Sequence, residues 1–264
     1  MRVLKSNIVR FLYAVDCYLL YILSGIAAAA GVVAYYSINA ASDFDLAGVG
    51  YAAFVDVLPE FLSGKSSIVL LVSYIIVLFG ILVVFLFKKQ SLAGYSGMSY
   101  YKIKSLFFSL ALGICLSLIT YSFVPAKTDE GIGLNTAMVL CIILGPFVEE
   151  LMFRGILLKM FASSVGIFFG AIITSVLFAV SHTDPVQVIY TFVLGLVLAS
   201  VRVKSTSLWS AVALHAAFNI CGAFVWGTGL TLSSTATVLC VLLSFLFFVF
   251  ACSGGRKKAH RKSV

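Results

Sequence analysis

Residues 67–87 read SIVLLVSYIIVLFGILVVFLF, twenty-one positions without one charged side chain. At about 1.5 Å of rise per residue, a helix of that length crosses a hydrocarbon core of about 30 Å. Water offers such a surface nothing, so this stretch decides the fold class. Seven further stretches qualify or nearly so, at 11–37, 103–124, 134–158, 165–182, 186–201, 206–226 and 231–251. The sixth in chain order, 186–201, is the shortest of the eight. The spacing predicts an all-α polytopic membrane bundle of about eight helices, with the bilayer as its principal partner.

The composition agrees. Of 264 residues, 62% are hydrophobic and only 11% charged, with a mean hydropathy of +1.12. A soluble domain averages roughly 45–50% apolar and about 25% charged residues, and a chain of this size could not hide the excess. Soluble enzymes, nucleic-acid modules and disordered tails are excluded as readings, and no nucleic-acid partner is expected. Six cysteines lie in or beside apolar runs with no C-x-x-C pair, which reads as small buried side chains and not as a disulfide framework.

The net charge of +8 is distributed by topology. With the N-terminus inside, fifteen basic residues fall on the cytoplasmic side, among them Arg10, Lys88, Lys104, Lys159, Arg202 and Arg256. Only Lys65 and Lys127 fall outside, whereas the seven loop acids, Asp43, Asp45, Asp56, Glu60, Asp129, Glu130 and Asp184, all do. The positive-inside rule selects this orientation, with both termini cytoplasmic. The first stretch reads as a retained signal anchor, since it is too long for a cleaved signal peptide and carries Asp16. The loop 38–66 reads as an outer interfacial segment.

Ionisable groups inside a membrane are costly and need a partner or a task. Outside the loops the chain holds Asp16, Glu149, Glu150, Arg154, His182 and His215, with Asn219 as a polar companion. Glu150 and Arg154 are four apart and can pair on one helix face. Glu149 sits about 100° round the helix, without that partner, as a general base would. Gly145-Pro146, just upstream, predicts a kink. Phe178-x-x-x-His182 closes the fifth stretch, and His215-x-x-x-Asn219 places two polar groups on one face of the seventh.

Taken in order on successive spans, E-E-x-x-x-R, F-x-x-x-H and H-x-x-x-N resemble the CPBP family of intramembrane proteases. That family includes the CAAX prenyl endoproteases and the Abi-like proteins of bacteriocin processing and immunity. The similarity covers about 134–222. It implies that Glu149 activates a water with help from His182, that His215 and Asn219 stabilise an oxyanion, and that Glu150 and Arg154 support them. The same resemblance leaves metal dependence open: Glu149, His182 and His215 would make a His₂Glu zinc site, while a metal-free Glu/His mechanism needs no further ligand.

The expected organisation is three N-terminal spans with the outer loop over 1–133, a catalytic core over 134–230, and a last span with a basic tail over 231–264. The expected activity is endoproteolysis of a peptide or membrane-protein substrate in the cell membrane, with a role in bacteriocin processing or self-immunity. Two other readings stand beside it. One is a proton- or ion-coupled transporter, since Glu/His clusters also relay protons; it predicts repeated halves with matching broken helices, and Gly-Pro occurs in one half only. The other is a non-catalytic immunity or binding protein on the same fold.

Overall fold

A computed structural model describes residues 2–39, 64–124, 136–182 and 184–253, and among them every regular element is helical. Helix α1 spans Arg2–Asn39, α2 Ser66–Phe87, the short α3 Leu92–Ser96 and α4 Ile103–Phe123. Helix α5, Thr136–Glu150, runs on through a π-helical segment, Leu151–Leu157, into α6, Leu158–Val165. Then come α7 (Ile167–Val180), α8 (Pro185–Ser205), α9 (Leu208–Thr228) and α10 (Ser234–Cys252). Six of these, α1, α2, α4, α8, α9 and α10, are long and apolar enough to cross a membrane. The outer loop 38–66 and the basic tail lie largely outside the described residues.

The bundle is polar within and apolar without. Phe87, Ile103, Phe123 and Phe245 each expose about three quarters or more of their surface, whereas Glu150 and Arg154 are fully buried. In water that distribution would be ruinous; in lipid it hides the charges and solvates the hydrocarbon. The composite α5–α6 rod stands at the centre, flanked by α2 and α9 along its first half and by α1 and α7 along its second. Helix α4 lies against α9 and α10. It approaches α9 so closely at Gly113 that a Cβ there would collide with the Leu214 carbonyl, so only glycine allows the backbone bearing His215 to come this near.

One expectation changes. The short span is the fifth and not the sixth: α7 has 14 residues, about 21 Å, against 21 residues for α8. Helix α8 gains length at both ends, from the Asp184 cap with Pro185 in its first turn, and by running through Arg202 and Lys204 to a left-handed Thr206. Helix α7 is cut short by Gly166, at φ 88°, and by Ser181. The rod also carries an irregularity beyond Pro146, which α5 holds in its last turns. It is the π segment immediately after the two glutamates, a widening often found at functional sites.

The short α7 sets the depth of the site. Counted from the Gly166 turn, Glu149 lies 17 residues back along one helix and His182 16 residues on along the next. Both therefore reach the same height, roughly 25 Å from the turn.

Candidate active site

Glu149 and Glu150 adjoin in sequence but face different surroundings. Glu150 is sealed in the bundle, where its Oε1 accepts a hydrogen bond from Arg154 Nη1 at 2.8 Å. The guanidinium also donates to the Gly195 carbonyl on α8 at 3.2 Å, and it lies 4.4 Å from the centre of the Phe178 ring. Charge pairing, a second acceptor and the ring face together compensate a cation that no water reaches.

Glu149 lines a cavity of about 580 Å³ with His182, Asn219, Tyr74, Ser181 and Gln187. Its carboxylate is not the unpartnered group that the sequence implied. Tyr74 of α2 donates its hydroxyl proton to Oε1 at 2.6 Å, and Oε2 faces His215 Nε2 at 3.8 Å. Gly145 makes the tyrosine's approach possible, since a Cβ there would stand 2.9 Å from the Tyr74 hydroxyl. One face of the carboxylate is held while the other stays open to the cavity.

His215 sits below the cavity floor, 3% exposed, between the two acids. Its Nδ1 is 3.0 Å from Glu150 Oε1. A carboxylate already accepting from arginine accepts here too, so Nδ1 carries the proton and Nε2 is turned toward Glu149. His182 has a similar bias: Nδ1 lies 2.9 Å from the Phe178 carbonyl, which can only accept, leaving Nε2 free of that contact. Phe178 joins the two imidazoles, standing edge-on to His182 at 5.1 Å and to His215 at 5.5 Å.

Of the six residues singled out by sequence, Glu149, His182 and Asn219 share one cavity, His215 supports its floor, and Glu150 and Arg154 anchor His215 from behind. Tyr74 and the central position of Phe178 were missed. Phe178 belongs to a quoted motif, but Tyr74 is one of three hydroxyls, with Ser67 and Ser73, in an apolar span outside the resemblance, and nothing in the sequence marked it. Asp16 is exposed on α1 and takes no part in the cavity. The cavity wall also draws on α1 and α2, through Tyr21 and Tyr74.

A zinc centre on the His₂Glu set would need Glu149, His182 and His215 to converge on one point. Among the described residues no three His, Cys, Asp or Glu side chains converge closely enough to hold a metal ion. Glu149 and His215 face one another, but His182 does not join them as a third ligand. The residues as arranged do not fit that centre.

Tyr74→Phe isolates the hydroxyl. Hydrogen bonds to charged groups contribute about 1.5–3 kcal/mol, and Glu149 would keep its place with one donor fewer. The expected result is a roughly tenfold slower turnover, corresponding to about 1.4 kcal/mol, with the folded helical content unchanged by circular dichroism. An unaltered rate would make the tyrosine a packing residue only.

Comparison with known proteins adds one match. The family model for the type II CAAX prenyl endopeptidase, Rce1-like, matches residues 132–221, roughly a third of the chain. All seven motif residues, Phe178 included, lie inside that segment; Tyr74 and Tyr21 do not. No curated protein and no solved structure matches the chain.

Proposed function

With residues 132–221 identified as CPBP-family sequence of the CAAX prenyl endopeptidase type, we propose that this membrane protein is an intramembrane endopeptidase with Glu149 as the base on the attacking water. The observation that carries this reading is the division of labour between adjacent acids. Glu150 is locked to Arg154 and His215, while Glu149 meets a polar cavity together with His182 and Asn219.

In the proposed reaction, Glu149 removes a proton from a water in the cavity as its oxygen attacks the scissile carbonyl carbon. The charge that forms on the carbonyl oxygen is met by the Asn219 amide, with His215 beside it under the cavity floor. Donors set in advance against a developing oxyanion are commonly the largest single contribution to such catalysis. Glu149 then returns the proton to the departing amine as the C–N bond breaks. His182, held through Nδ1, presents Nε2 to the same water. The arrangement of His215 between a buried acid and the base keeps its ring oriented, as a buried carboxylate does for a catalytic histidine. The substrate in this reading is a peptide or a membrane protein.

Terminal proteomics of membranes carrying the parent chain, Asn219→Ala or His182→Ala tests the reading. A fragment present with the parent should fall about 10²-fold or more with Asn219→Ala, the usual loss for one oxyanion donor, and fall likewise with His182→Ala. Fragment patterns unchanged in both variants would reject it.

A further inference from the structure

We infer that the catalytic cavity is reached from the non-cytoplasmic face, and that its substrate is a polypeptide segment presented at that face. This rests on the protease reading above. The mouth is assigned from the lining residues that stand at helix ends: Ser66 and Ser67 at the start of α2, Ser181 and His182 just past the end of α7, and Gln187 in the first turn of α8. These helix ends all lie at one pole of the bundle.

The other pole carries the cations. Lys88 and Lys89 follow the end of α2, Lys102 and Lys104 open α4, Lys159 lies in α6 beside the Gly166 turn, and Arg202 and Lys204 end α8. Direct contacts show that this is one surface. Lys159 lies over the Tyr95 ring at 3.8 Å, Arg202 donates to the Ser96 carbonyl at 2.8 Å, and Trp209 at the start of α9 donates to the Met98 carbonyl at 2.9 Å. All three converge on α3 and the turn after it. Among the described residues, Arg154 is buried in the interior with Glu150, and of the cations near the helix ends only Lys65 breaks the pattern, at the cavity pole, where Asp184 also lies.

Cationic ends stay on the cytoplasmic side during insertion, so the cation-rich pole is cytoplasmic and the mouth opens opposite to it. A cytosolic protein's C-terminal tail would meet the wrong end of the bundle. A secreted peptide, or the outer juxtamembrane stretch of a membrane protein, would meet the mouth.

Accessibility and cleavage test this separately. Ser66→Cys and Gln187→Cys at the mouth, and Lys102→Cys at the other pole, are each treated with a charged, membrane-impermeant maleimide in right-side-out and in inside-out vesicles. The unsubstituted chain serves as the background. The mouth cysteines should react in right-side-out vesicles and Lys102→Cys only in inside-out ones. Mouth cysteines reacting only in inside-out vesicles would overturn the assignment, whether or not the protein is a protease. Fragments that vanish with Glu149→Gln should then derive from secreted or outer juxtamembrane segments; cuts confined to cytosolic chains would equally overturn it. Should Glu149→Gln erase no fragment while the labelling is as expected, the protease reading fails and the access face stands.

Discussion

Glu149→Gln is expected to slow cleavage by about 10²–10⁴-fold, the range for loss of a positioned general base, while leaving the protein folded. The two halves of that expectation come from the same contacts. A glutamine has the shape of the glutamate, and its amide oxygen still accepts the Tyr74 hydroxyl proton that Oε1 accepts now. Its amide nitrogen can occupy the position of Oε2, 3.8 Å from His215 Nε2. Packing against α2 and α9 is therefore preserved. Basicity is not, because an amide cannot take a proton from water near neutral pH. The measurement is the turnover of a fragment defined by proteomics, compared in purified parent and variant, with thermal unfolding in the same detergent. Full turnover in the variant would move the base elsewhere, His182 being the next group on the cavity wall.

The membrane bundle was legible because each apolar stretch reports its own length. The unbroken run at 67–87 becomes α2 almost to the residue. What the stretches did not report was where each helix ends when capping and turn chemistry, not hydropathy, decides. Gly166 and Ser181 trimmed α7, and Asp184 with Pro185 extended α8. Within the site, the spacing of four correctly paired Glu150 with Arg154, since that contact lies within one helical rod. Contacts between distant segments had no such periodicity to announce them. Tyr74 on Glu149 and His215 on Glu150 cross 75 and 65 positions of sequence, and the first depends on Gly145, where a Cβ would crowd the Tyr74 ring. The π segment was equally silent, for no residue type in Leu151–Leu157 demands it.

Arg154→Met is expected to cost about 3–5 kcal/mol of stability, the usual loss when one partner of a buried pair is removed and the other stays. Methionine fills much of the volume, so the effect isolates charge from packing. Glu150, with no exposed surface, would then keep only His215 as a partner. The guanidinium's bond to Gly195 and its contact with the Phe178 face would vanish too, loosening the ring against which both imidazoles lie. Arg154→Lys should recover only part of the loss, because an ammonium cannot reproduce the planar fork. Glu150→Gln combined with Arg154→Met should be more stable than Arg154→Met alone, since the orphaned buried charge is gone. Thermal unfolding of the four proteins in one detergent measures the series. An Arg154→Met protein as stable as the parent would mean that Glu150 is uncharged in the fold, and the anchoring of His215 would then rest on a neutral hydrogen bond.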